Sequence, residues 1–230
     1  MKKGIIKALG ALLLTGLAAG SAGAQSRKTE VWDFGGVQAT GDIINHITVA
    51  DIDAIPQLPA GGRFSEAGEV SWGDLTVNFL GNDRMYFDSK AGKSAGAQGY
   101  QSLDFGDGYI SNGIYYCNGT GGEKRRYLLL KNVRSGDTVT FYAGTSNTSS
   151  KDIHFAHLTS GKDQNIGSDI LVLSGEQDEH APVVQASQAN PGRYSYIALA
   201  DGSYKIFTDS SAGKPVYYRV VRTPAVTVSG

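Results

Sequence analysis

Between residues 126 and 221 the chain alternates apolar and polar positions in short runs, RYLLLK, DTVTFYA, SYIALA, YKIFT and VYYRVV, each bounded by Gly, Ser, Asp or Asn. Alternation at a period of two sends successive side chains to opposite faces, as in an antiparallel strand with one face buried. Val139, Phe141 and Ala143 then point inward. Upstream, KTEVWDF, LTVNFL, RMYF and YISNGIYYC read the same way, with Leu75, Val77 and Phe79 on one face and Trp32 and Phe34 together in the interior. Downstream of DTVTFYA, so do IHFAHL, ILVL and VVQA. Many short strands separated by polar turns predict an all-β fold, an antiparallel two-sheet β-sandwich of jelly-roll type. One short helix is expected near 48–55, where Thr48 followed by Asp51 forms a start signal and Pro56 a stop. The Asp201-Gly202 pair reads as a tight hairpin turn, and so do the glycines of NGTGGEKR.

The first 24 residues break this pattern. Lys2, Lys3 and Lys7 precede an apolar stretch from Ala8 to Ala19 and a small-residue end at Ala22-Gly23-Ala24, the layout of a secretory signal peptide. The stretch is shorter than the roughly 20 residues a membrane span needs, so the expectation is an extracellular chain beginning near Gln25, with no membrane span. Without those three lysines, 18 basic residues stand against 22 acidic ones, and a mature charge of −4 gives no reason to expect nucleic acid as a partner. The chain has a single cysteine, Cys117, so it forms no internal disulfide; lying in an alternating run, Cys117 reads as a packed strand residue. Residues 29–222 are expected to form one module. Pro224 interrupts the last run, so 223–230 reads as a linker or the start of a following domain.

The segments VWDFGG, ITVADIDAIP, RYLLLKNVRSGDTVTFYAGTSN and YIALADGSYKIFTDSSAGKPVYYRVVRTP, in that order, resemble the non-catalytic β-sandwich module at the N-terminus of secreted bacterial pectate lyases and related polysaccharide-degrading proteins. The matching features are core and turn residues. The resemblance therefore implies a fold and a polysaccharide context, pectate included, with a catalytic domain joined covalently beyond Gly230, and transfers no catalytic residues. A β-helical lyase body would show a fixed repeat, and none emerges.

Candidate chemistry within the chain is sparse. His154 and His157 lie three apart on a strand and face opposite ways, which does not converge on a metal. Gly144-Thr145-Ser146-Asn147 lacks the second glycine of a serine nucleophile elbow. Gly119 to Lys124 lacks the spacing of a phosphate-binding loop. No cofactor is expected. Asp104 and Asp107, in LDFGDG, could hold a structural calcium, which takes roughly six to eight oxygens, but Asx turns closed by the aspartates' own side chains suit the sequence better. Twelve tyrosines offer flat faces for sugar rings, and Tyr109, Tyr116, Tyr142 and Tyr218 are the candidates for an exposed platform; in the pairs Tyr115–Tyr116 and Tyr217–Tyr218 one ring faces in and its neighbour out. Arg125 and Arg126 are candidate contacts to an acidic polymer. The expected function is a non-catalytic carbohydrate-binding or targeting module. The alternatives are a fragment of a polysaccharide lyase, or a sandwich lyase with Arg or Lys as base and Tyr as acid, and a structural or adhesive surface module.

Overall fold

The computed structural model describes residues 27–54, 68–79, 85–89, 102–117, 119–122, 124–147, 151–158, 183–186, 191–208 and 213–226. Within them the chain forms β1 (Thr29–Asp33), β2 (Ile43–Asn45), α1 (Val49–Asp53), β3 (Gly68–Trp72), β4 (Leu75–Phe79), β5 (Met85–Ser89) and β6 (Gly113–Cys117), followed by β7 (Leu128–Val133), β8 (Thr138–Thr145), β9 (Lys151–Leu158), β10 (Val183–Ala186), β11 (Gly192–Ile197), β12 (Gly202–Thr208) and β13 (Pro215–Thr223). One sheet runs β11-β8-β13-β1-β2, with β6 also paired to β13 and β5 to β6; the other runs β10-β9-β12-β7-β4-β3. The β-sandwich expected from the alternation is the observed architecture.

The single helix sits where the start signal places it. Thr48 accepts from the Asp51 N–H at 3.2 Å, while the Asp51 carboxylate accepts from the Thr48 N–H at 2.7 Å, a complete capping box. The short strand β2 was not legible: it lies parallel to β1, an unusual pairing secured by three residues and by Asn45, whose amide exchanges two 2.8 Å hydrogen bonds with Ala39.

The two hairpin expectations fail for one reason. From β6 to β9 and again from β10 to β13 each strand lies in the opposite sheet from its predecessor, as in jelly rolls. β11 pairs with β8, and β12 with β7 and β9, so Asp201-Gly202 ends an arch between sheets. That arch is held by Gly136 N–H to Ala198 O at 2.7 Å, Ala198 N–H to Asp137 O at 2.8 Å, and Tyr204 Oη to Ala200 O at 2.6 Å. The glycines of NGTGGEKR likewise carry the chain from β6 to β7 across the sandwich, with a tight turn closed by Arg125 N–H on Gly122 O at 3.2 Å. A dipeptide sets a local reversal; which strand the chain pairs with afterwards is decided by the apolar faces it must bury.

Those faces meet in one aromatic-rich interior. Phe155 and Tyr204 stack at 4.9 Å within one sheet and Phe141 and Tyr196 at 5.5 Å within the other, and Phe155 meets Tyr196 across the sheets at 5.2 Å. Trp32, Phe34, Phe87, Tyr115 and Tyr217 fill the other half. Three donors in this interior find acceptors: Trp32 Nε1 donates to Trp72 O at 2.6 Å, Tyr115 Oη to Asn78 O at 2.8 Å and Tyr217 Oη to Ile206 O at 3.2 Å. Phe141→Ala empties the centre of this stack and is expected to cost about 3 to 5 kcal/mol in urea unfolding, whereas Ile197→Ser, on a side chain 46% exposed, should stay within about 0.5 kcal/mol.

Candidate functional site

Residues 103–111 form a small closed loop on the outer face of the seven-stranded sheet. Its sequence, LDFGDGYIS, dictates its shape. Asp104 Oδ1 accepts from Gly106 N–H at 2.8 Å and Asp107 Oδ1 from Tyr109 N–H at 3.1 Å, two successive Asx turns. The intervening Gly106 and Gly108 have φ of 78° and 90°, a region side chains rarely enter. The loop is pinned shut by Phe105 N–H on Tyr109 O at 3.0 Å and Ser111 N–H on Leu103 O at 2.9 Å.

The two turns set Phe105 and Tyr109 parallel, with centroids 5.4 Å apart. Tyr142, facing outward from β8, meets Phe105 edge-on at 4.9 Å and Tyr109 at 4.7 Å; Tyr218 meets Phe105 edge-on at 5.2 Å. Edge-to-face contacts of this kind set the positive rim of one ring against the negative face of another. The guanidinium of Arg219 lies 3.6 Å from the Tyr109 ring centroid and donates through Nε to Asp33 Oδ2 at 2.7 Å. Asp33, itself buried, also accepts from the Gly35 and Val37 N–H groups. At the rim, Asp107 Oδ2 accepts from Tyr142 Oη at 2.6 Å and pairs with Arg193 Nε at 2.9 Å.

Of the residues singled out in the sequence, Tyr109, Tyr142, Tyr218 and Asp107 therefore converge. Their exposure differs from expectation. Tyr109 and Tyr142 are 5% and 6% exposed because the loop folds down on them, so they support the cluster from beneath. Phe105 and Tyr218 are half-buried and carry its open edge, beside Ile110, which is 55% exposed. Tyr116 is partly buried on β6, opposite Val216, and the in-and-out reading of both tyrosine pairs matches their burial. Arg125 is exposed in the β6–β7 connection. Arg126 is buried, with φ of 56°, and donates through Nη1 to Thr120 O at 2.6 Å, so it ties that connection down and is not a surface contact.

The two carboxylates do not share a site. Asp104 closes its turn at the exposed end of the loop, and both oxygens of Asp107 are engaged, so a cation there would have to displace the Arg193 guanidinium. Among the described residues no group of three or more His, Cys, Asp or Glu side chains converges. His154 stacks on Phe207 on one face of the six-stranded sheet and His157 lies against Tyr204, as their spacing implies.

Phe105, Arg193 and Arg219 were missed as site residues. Phe105 sits between Asp104 and Asp107, and that was the available signal: two successive Asx turns bring the aromatics at 105 and 109 side by side. Arg219 follows Tyr217 and Tyr218 in a run whose alternation is shifted by one residue, as described below.

Electrostatics follow the geometry. Burial raises Tyr142 to about 12, helped by its bond to the Asp107 carboxylate. Burial alone would raise Asp107, but the hydrogen bonds from Tyr142 and Tyr109 and the charge of Arg193 outweigh it and hold the carboxyl below its ordinary range. Burial pushes the Cys117 thiol on β6 up to about 12, against the opposing pull of Tyr115 and Arg126.

No family model matches the chain. No curated protein matches it in sequence. Among solved structures it is similar to the second N-terminal cellulose-binding domain of Cellulomonas fimi β-1,4-glucanase C, at 11% sequence identity and a TM-score of 0.32, covering 64% of this chain and 94% of that one. A superposition that loose says nothing of individual residues, and the chemistry of the site rests on its own geometry.

A carboxyl held low in the folded state stabilises it fully above the ordinary carboxylate range and loses that effect as pH falls through the lowered value. The gap in unfolding free energy between the wild type and Asp107→Asn should therefore be constant above the ordinary carboxylate range, at about pH 5 and higher, and narrow as the pH falls below about 4, read from urea melts at stepped pH. Cys117 should resist a thiol reagent at about pH 8 in the native protein and react at once in denaturant.

Proposed function

We propose that this chain is a non-catalytic carbohydrate-binding module, exported by its N-terminal segment and serving a polysaccharide-degrading, pectin-directed system. The observation that carries the reading is the convergence of Phe105, Tyr109, Tyr142 and Tyr218 with the Arg193–Asp107 pair on one outer sheet face. Sugar rings carry apolar C–H faces and a rim of hydroxyls; a ligand of that kind needs an aromatic edge and, next to it, fixed groups that donate and accept. Phe105 and Tyr218 supply the edge. Arg193, 49% exposed at its side chain and held by Asp107, supplies donors. The rings are locked by mutual contact before any ligand arrives, which spares the entropy of ordering them on binding.

The pectin context draws on the ordered motif resemblance and lies beyond what the site geometry specifies. Residues 1–26, which include the signal segment, lie outside the described residues, as do the run ILVL, His180 and residues 227–230. In affinity gels containing pectin, xylan or cellulose derivatives, the protein should be retarded by at least one, pectin foremost. Tyr218→Ala should weaken that retardation about tenfold or more, with a cooperative urea melt of the variant showing that it still folds. Mobility identical in every gel would sink the binding reading and favour the adhesive alternative. Release of unsaturated uronide from polygalacturonate would favour the lyase alternative.

A further inference from the structure

A second feature lies at the end of the sandwich where β7 passes into β8 and β11 into β12. A cleft of about 560 Å³ opens there, within the range of small-ligand sites, between Asp74, Asn132, Arg134, Asp201, Ser203 and Arg222. Its walls are fixed. Arg222 Nη2 donates to Asp74 Oδ2 at 2.6 Å and to Glu30, and its Nη1 to Lys131 O at 2.8 Å. Asn132 Nδ2 donates to Asp74 Oδ1 at 2.8 Å, and Ser135 N–H to Asp201 Oδ1 at 2.7 Å.

The charges divide unequally. Arg222 is compensated by Glu30 and Asp74, and Arg27, also on the cleft wall, by both oxygens of Asp137. Arg134 is exposed, and its guanidinium makes no hydrogen bond or ion pair with the described residues; it lines both this cleft and an adjoining one of about 400 Å³. The second oxygen of Asp201 and the hydroxyl of Ser203 are likewise uncommitted among the described residues. Arg134 and Asp201 lie in the β7–β8 and β11–β12 connections and Ser203 at the start of β12. A fork of N–H donors, a carboxylate acceptor and a hydroxyl lining one cleft suit a ligand carrying a carboxylate next to hydroxyl groups.

We propose that this cleft binds the carboxylate-bearing unit of an acidic saccharide, Arg134 holding the carboxylate and Asp201 with Ser203 the hydroxyls. The proposal rests on the saccharide reading above but places recognition of acidity away from the aromatic cluster, so the two can fail separately. The test is a nuclear magnetic resonance titration of the purified full chain with galacturonate and with galactose. Galacturonate should shift the amides of Arg134, Gly202 and Ser203 and bind about tenfold more tightly than galactose, with the preference fading at high salt. Arg134→Ala should abolish the preference. Arg134→Lys should keep only part of it, because a point charge replaces the bidentate fork. Equal binding of the two sugars, shifts confined to other residues, or an intact preference in Arg134→Ala would overturn the proposal. Retardation in pectin gels that survives Arg134→Ala but not Tyr218→Ala would leave the aromatic reading standing alone.

Discussion

The pairing of β13 governs both the interior and the outer face. Its nine residues hydrogen-bond along one side to β8 and along the other to β6 and then β1. Opposite β8 the register slips between Tyr217 and Arg219, so that Tyr217 faces Ala143, Arg219 faces Tyr142, and Tyr218 is the extra residue. Such a bulge restarts the alternation. Tyr217 before it and Val220 after it both point into the core, and Tyr218 and Arg219 both lie toward the outer face. Without the slip Arg219 would point into an aromatic interior as an unpaired cation, a placement that proteins avoid at several kcal/mol.

Once Arg219 is outside, it must still be neutralised, because the loop over Tyr109 shields it and leaves it 9% exposed. Asp33 on the neighbouring strand does this, in register with Arg219, and spends its other oxygen on the turn that follows β1. Asp137 plays the same part at the sandwich end: it binds Arg27 through both oxygens and also caps the Arg134 and Ala225 N–H groups. Each aspartate is about 1% exposed, so removing one would strand a buried cation or several N–H groups together. Both surface features described here are thus held by carboxylates beneath them.

The strands other than β2 and β3, the buried Val139, Phe141 and Ala143, the capped helix and the core position of Trp32 were legible in the sequence because each depends on local alternation or on a cap spanning four residues. What escaped depends on partners distant in the chain. Asp201-Gly202 has the composition of a hairpin turn, but the strand it launches pairs with β7 and β9 across the sandwich. Simple alternation from Tyr217 assigns Arg219 inward and Val220 outward, and the single inserted residue that reverses them leaves no mark in composition. Tyr109 and Tyr142 were recognised as aromatic resources, yet their burial is imposed by a loop more than 30 residues before Tyr142, held to it by Asp107. Arg126 was read with Arg125 as a surface contact to an acidic polymer, whereas a left-handed backbone turns it under the connection toward Thr120.

The contrast between the two faces of Tyr142 explains why the site can be both rigid and open. Beneath the ring, the strand on which it stands is hydrogen-bonded on both sides; above it, the loop contributes two rings and a carboxylate through turns that need no support beyond their own aspartates. Such a loop is specified almost wholly by LDFGDGYIS, with Asp at each turn start and Gly at each left-handed position. Its docking is specified by three long-range contacts: the Tyr142 hydroxyl and Arg193 on Asp107, and the Arg219 guanidinium on the Tyr109 face. Because these contacts use the ring face of Tyr109 and the hydroxyl of Tyr142, and the loop buries both rings, those two are consumed by structure. Phe105, stacked on Tyr109 through one face, and Tyr218, which meets Phe105 edge-on, are only partly buried and are left with surface to spend on a ligand. Recognition on this face is then expected to be shaped by which rings the fold leaves over, and the number of tyrosines in the chain is a poor guide to it.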